Sequence, residues 1–278
     1  MSEKLLRGAI DMHVHSAPDV VPRLLDDIEL VEQATKAGMR ALVLKNHHCS
    51  TCSRAYLLNR IQGKVRLYGG VVLNDSVGGL NPMAVETAIK MGGEMIWMPT
   101  VSAANHRRFF GGRGGLTILS GTRLRPEVRK ILGLISDANK ILATGHLSPS
   151  ESTVLIEEAL SLGVRRISVT HPEWGVTAMP VKMQLKLAKS GAVAFERCLI
   201  SAEAKALHTV PFETIVKQMR AVGVASTIIA TDFGLPNTMA PVDAFRSYLT
   251  RLQKAGFTYD EIKAMAQDNP AKLLDLGQ

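Results

Sequence analysis

Two histidines separated by one valine, His13 and His15, close an apolar run near the start of the chain, in the stretch DMHVHSAPD. Side chains alternate along a strand, so the two imidazoles share a face while Val14 points the other way. Imidazoles so placed can converge on one cation above the strand end. Polar residues end further apolar runs: Lys45 after ALVL, His146 after ILATG, His171 after ISVT, Glu196 within AVAFER and Asp232 within TIIATDF. A single histidine at a strand end is most often a hydrogen-bonded core residue. The joint occurrence of His13, His15, His146, His171 and Asp232 at one depth on separate strands points instead to a divalent-metal site. Imidazole nitrogen with carboxylate oxygen suits Zn²⁺ first, with Mn²⁺, Fe²⁺ or Co²⁺ as alternatives. The set exceeds what one tetrahedral ion needs, which leaves two ions, or one ion with catalytic histidines beside it.

A repeated local pattern positions these residues. An amphipathic stretch, a glycine (Gly38, Gly93, Gly163, Gly191, Gly223) and a short apolar run recur along the chain. The glycines suit helix ends, where a left-handed residue stops the helix. The runs lack polar alternation, as expected of parallel strands covered on both faces. Eight of them (AIDMHVH, ALVLKN, VRLYGGVVLN, MIWMPT, ILATGH, ISVTHP, AVAFER and TIIATDF) alternate with helical stretches. The spacing predicts an α/β fold, a (β/α)8 TIM barrel with its active site at the carboxyl ends of the strands. A doubly wound sheet would carry a glycine-rich phosphate turn after its first strand, where histidines stand here. No linker divides the chain, so residues 1–278 are expected to form one domain. Residues 102–124, SAANHRRFFGGRGGLTILSGTRL, are expected to form a long loop after strand four that acts as a lid or substrate wall. VDAFRSYLTRLQKAG and TYDEIKAMAQDNPAKLLDL predict two closing helices, the last an addition to the barrel.

The formal net charge is +8, but the lysines and arginines are dispersed and aromatics make up 5% of the 278 residues. That distribution argues against a nucleic-acid partner. Three cysteines (Cys49, Cys52, Cys198) give no disulfide framework, and no segment reads as a signal peptide or membrane span, so a cytoplasmic protein with no membrane partner is expected. Cys49 and Cys52 form a lone C-x-x-C, which without a second pair reads as structural or incidental.

At this point the residues carry a resemblance. His13-x-His15, His146, His171, Asp232 and the closing DNPAKLL (Asp268 to Leu274) resemble the amidohydrolase superfamily of metal-dependent hydrolases. The resemblance implies a distorted barrel holding one or two divalent ions, with His13, His15 and Asp232 on one and His146 and His171 on a second. The superfamily usually bridges two ions with a lysine or glutamate from strand four. MIWMPT offers neither, which leaves Lys45 and Glu196 as the nearest substitutes. Phosphoesterases that also begin with H-x-H typically end in D-x-H, whereas Asp232 precedes Phe233-Gly234.

The expected activity is metal-assisted hydrolysis of a small anionic amide, ester or lactone, with Asp232 as proton carrier and His171 or His146 on a second ion or an oxyanion. Arg107, Arg108, Arg113, Arg123 and Arg197 are candidates for an anionic substrate group, and His47 and His106 for further substrate contacts. A decarboxylase or lyase acting on an oxo-acid, and a non-catalytic metal-binding protein, are the competing readings. A homo-oligomer stays open.

Overall fold

The computed structural model describes residues 2–203 and 208–277. All eight apolar runs form short parallel strands: β1 (Ile10–Val14), β2 (Ala41–Leu44), β3 (Arg66–Tyr68) with β4 (Gly70–Val72), β5 (Met95–Trp97), β8 (Ile141–Ala143), β9 (Ile167–Thr170), β10 (Val193–Cys198) and β11 (Thr227–Ala230). A separate two-stranded hairpin, β6 (Leu119–Ser120) and β7 (Arg123–Leu124), lies between β5 and β8.

The third run is one stave broken in two. β3 pairs with β2, and β4 pairs with β5. At the break, the Thr51 hydroxyl accepts the Gly70 N–H at 2.9 Å and the Thr51 N–H donates to the Gly70 carbonyl at 3.0 Å. A loop residue thus satisfies backbone that a continuous ladder would pair. The remaining order is β4-β5-β8-β9-β10-β11. β11 meets β1 through a parallel bridge between Val14 and Phe233 and through Asp232 N–H to the His13 carbonyl at 2.8 Å. The ring is a distorted (β/α)8 barrel.

Strand parity builds the core. Ile10, Met12, Ala41, Val43, Val72, Met95, Trp97, Ile141, Ala143, Ile228 and Ala230 fill the barrel. Their neighbours Leu42, Leu44, Ile96, Leu142, Val169, Phe195 and Ile229 pack outward under the helices. The helices are α1 (Ser2–Leu6), α2 (Asp27–Ala37), α3 (Cys52–Gln62), α4 (Pro82–Lys90), α5 (Ala104–Phe109), α6 (Pro126–Asp137), α7 (Pro149–Ser161), α8 (Val181–Ala188), α9 (Phe212–Val222), α10 (Pro241–Lys254), α11 (Tyr259–Lys263) and α12 (Asn269–Leu273). Local chemistry starts several of them. Asp26 with Glu29, and Ser148 with Glu151, form capping boxes that satisfy orphan N–H groups of the first turn of α2 and α7. Of the expected helix-ending glycines, Gly38, Gly163, Gly191 and Gly223 have positive φ, while after α4 that residue is Gly92.

Two expectations change. The segment 102–124 is not structureless, since it holds α5 and the β6–β7 hairpin, tied down by Leu116 N–H to the Ser102 carbonyl at 2.7 Å. The last helix is split into α11 and α12 by a π-helical stretch, Ala264–Asp268. No helix among the described residues is long and apolar enough to cross a membrane.

Candidate metal centre

The carboxyl end of β1 carries the site because the strand changes parity there. Its register with β2 shifts between Asp11 and Val14. Ile10 and Met12 fill the barrel, yet past the irregularity Val14 packs outward and His13 faces Glu196 and Lys45 inside. Such bulges re-aim side chains next to active sites. The other key positions use left-handed backbone. His171 has φ 49° and Asp232 φ 56°, a region sparsely populated by non-glycine residues and concentrated at functional sites.

These turns bring donor atoms together. Asp232 Oδ1 lies 2.9 Å from His13 Nε2 and 3.0 Å from His15 Nε2, while Asp232 Oδ2 lies 3.4 Å from His171 Nε2. Atoms bound to one cation at about 2.0–2.2 Å sit about 3 Å from one another, so the spacing fits. His13 Nδ1–H donates to Glu196 Oε1 at 2.6 Å, and the Ser168 hydroxyl donates to Glu196 Oε2 at 3.1 Å. A proton fixed on Nδ1 turns Nε2 toward the donor cluster as the atom for a ligand bond. His171 Nδ1 is buried with no hydrogen-bond partner among the described residues. The donor set suits a divalent cation.

Electrostatics favour the same use. Burial works against ionisation of Asp232, but the imidazoles of His13 and His171 hold its carboxyl well below the usual range. Burial lowers His15 to about 3, against its hydrogen bond to Asp232, and lowers His171 to about 4. Neutral His15 and His171 with an ionised Asp232 are protonation states that metal binding requires. At His13 burial is outweighed by Asp232 and Glu196, which raise its imidazole above the ordinary range, so a cation there displaces a proton.

The centre opens into a cavity of about 260 Å³ lined by His15, Arg23, Lys45, His47, His106, His146, His171, Trp174, Ser201, Asp232 and apolar residues. Lys45 is fully buried, with Nζ 2.9 Å from His13 Nε2. Burial lowers its ammonium from the ordinary range, opposed by Asp232 and Glu196. His47 rests its Nδ1 2.8 Å from the Thr100 hydroxyl and stacks on His15, ring centroids 5.0 Å apart. His146 does not join the first cluster; its Nδ1 is 3.0 Å from Nδ1 of His106, which α5 delivers.

Several expected residues lie elsewhere. Glu196 sits on the Nδ1 side of His13, 2.6 Å away, and not among the atoms around Asp232 Oδ1. Arg197 is fully buried outside the barrel, ion-paired with Glu173, because its parity in β10 is opposite to that of Glu196. Arg107 pairs with Asp75 on the surface, Arg108 reaches Asn105, and Arg113 and Arg123 are exposed; none lines the cavity. Cys52 is buried against the Gly70 and Ala88 carbonyls while Cys49 is exposed, so the C-x-x-C does not converge. Cys198 comes within 4.8 Å of ligand atoms of His13 and His171, but burial, Glu196 and Asp232 push its thiol well up, which disfavours the thiolate a metal needs.

The architecture is a TIM barrel, a fold shared with solved structures described as amidohydrolases. The probable dipeptidase PvdM from Pseudomonas aeruginosa superposes with a TM-score of 0.72 over 98% of this chain and 96% of that one, at 12% identity. An amidohydrolase from Burkholderia multivorans with bound zinc gives 0.65 over 97% and 99%, at 11% identity. The 2,6-dihydroxybenzoate decarboxylase from Rhizobium gives 0.59 over 97% and 99%, at 12% identity. At such identities the likeness is one of fold. Residues 8–194 match DUF6282, a family of unknown function, and the chain belongs to that family. No curated protein matches it by sequence.

Proposed function

We propose that the protein is a metal-dependent hydrolase of the amidohydrolase superfamily, acting in the cytoplasm as one 278-residue domain on a small anionic amide, ester or lactone. The observation that carries this reading is the convergence of His13 Nε2, His15 Nε2 and Asp232 Oδ1 within 4.8 Å of one another beside a cavity. These three residues hold one divalent ion, for which zinc is the first choice, as in the Burkholderia protein. The bound ion supplies Lewis acidity, which lowers the pKa of a water toward neutrality and polarises a carbonyl.

The chain's own groups handle the proton. Asp232 Oδ2, on the side away from His13 and His15, accepts the proton of the attacking water and returns it to the leaving group. His171 Nε2, 3.4 Å from that oxygen, orients the carboxylate and steadies the charge that develops beside it. Lys45 adds a second polar contact at the cavity floor. A decarboxylase built on the same residues is the second reading, supported by the likeness to the Rhizobium enzyme.

A panel of carboxylate-bearing lactones, esters, amides and oxo-acids, assayed with the zinc-reconstituted protein for proton release and for CO₂, separates the two. Hydrolysis is expected, with Asp232→Asn slowing turnover about a hundredfold or more. CO₂ release from an oxo-acid would establish the decarboxylase instead, and undiminished turnover in Asp232→Asn would remove Asp232 from the proton path.

A further inference from the structure

None of the arginines singled out in the sequence reaches the cavity, yet one arginine lines it: Arg23, on the loop between β1 and α2. Its Nε donates to Asp19 Oδ2 at 2.8 Å and its Nη2 lies 2.7 Å from the same oxygen. Asp19 Oδ1 in turn accepts the Val20 N–H at 2.7 Å. The Arg23 side chain is 5% exposed, so this anchor fixes a guanidinium that is largely withdrawn from bulk water. From there Nη2 donates to His15 Nδ1 at 3.2 Å, on the ring whose Nε2 belongs to the convergent donor set.

We infer that Arg23 binds a carboxylate of the substrate, one imidazole away from the metal centre, and that the substrate is a small carboxylate with a short apolar body. This rests on the metal-hydrolase reading above. The cavity volume of about 260 Å³ falls just under the range of pockets that enclose drug-sized ligands. Its remaining wall is mostly apolar, formed by Val21, Val101, Trp174, Ile200 and Leu235 with the one hydroxyl of Ser201. Guanidinium is the cation best shaped for a carboxylate, and it stays charged in every state of the site.

The chemistry of His15 makes this contact exchangeable. Nδ1 accepts from Arg23 only while it bears no proton. A neutral imidazole that gives its Nε2 lone pair to a cation carries its proton on Nδ1. Loading Nε2 therefore turns an N–H toward the guanidinium and removes the acceptor that Nη2 uses. Asp19 keeps its pairing with Nη2, and a substrate carboxylate entering the cavity supplies an acceptor for the N–H that had faced His15. Arg23 thus links metal loading to recognition of the anion.

Calorimetric titration of the zinc-reconstituted full chain with benzoate, succinate and benzamide tests the assignment, using wild type, Arg23→Gln and Arg23→Lys. At least one carboxylate is expected to bind wild type, to weaken about tenfold or more in Arg23→Gln and to recover in part in Arg23→Lys. Benzamide, which carries no charge, should bind all three alike. Zinc content is measured on the same samples. Unchanged carboxylate affinity in Arg23→Gln, or no carboxylate binding by zinc-loaded wild type, overturns the role of Arg23 and leaves the metal centre standing. A wild type that takes up no zinc overturns the metal centre, and the role of Arg23 with it.

Discussion

His13 is held from both sides of its ring. Glu196 takes the proton on Nδ1, and Nε2 faces Asp232 and Lys45 at 2.9 Å each. A carboxylate behind a ligating histidine fixes its tautomer and raises its basicity, and its loss typically costs 10–100-fold in metal affinity. Glu196→Gln is therefore expected to weaken zinc binding by roughly that factor while keeping a full complement at saturating zinc. Competition with a chromophoric chelator measures it; an unchanged dissociation constant would show that Glu196 serves packing alone. At this scale the sequence was informative wherever a polar residue interrupts an apolar strand end. His13, His15, His146, His171 and Asp232 could be named as one group because strand spacing puts them at one depth; around Asp232 the structure gathers His13, His15 and His171, while His146 turns to His106. The sequence was silent on which of two adjacent residues faces inward. Glu196 and Arg197 are both fully buried, and only the packed helices show that Arg197 faces Glu173 outside the barrel. Arg23 carried no signal at all, since it belongs to a loop whose path no periodicity describes.

The elements aim these residues by departing from regularity at the carboxyl ends of β1, β9 and β11. Gly234 shows how little room the departures leave. A Cβ at that position would lie 2.1 Å from the His15 carbonyl oxygen, and its φ of 143° is one that side chains rarely adopt. Gly234→Ala is expected to destabilise the fold by at least about 1–3 kcal/mol from backbone strain, and to weaken zinc binding by displacing His15. Thermal unfolding and zinc titration of the same preparation check both; a variant with wild-type melting temperature and affinity would show that this turn is not what positions His15. The eight staves were legible as eight apolar runs, because strands buried on both faces exclude polar residues. The break of the third stave was not, since it depends on Thr51, nearly twenty residues earlier in the chain, capping Gly70. The content of residues 102–124 escaped for a related reason: α5 and the β6–β7 hairpin are too short to show a period.

For the whole molecule, charge and chemistry are separated in space. The arginines of the α5 segment face solvent, where Arg107 pairs with Asp75, while the cavity's guanidinium, Arg23, comes from the loop between β1 and α2. Exposed ion pairs contribute about 1 kcal/mol at most. Replacing Arg107 and Arg108 together by alanine is accordingly expected to leave KM for an anionic substrate unchanged and to cost little stability. A severalfold rise in KM would return these arginines to the substrate path. The barrel, its cavity and the convergent donor atoms meet in one claim, that His13, His15 and Asp232 hold a divalent ion. Elemental analysis of zinc-reconstituted protein tests it most directly, on wild type and on His15→Ala, each shown to be folded by circular dichroism. About one tightly held zinc per chain is expected in wild type and little in His15→Ala; a folded wild type without metal, or equal zinc in both proteins, would contradict the account.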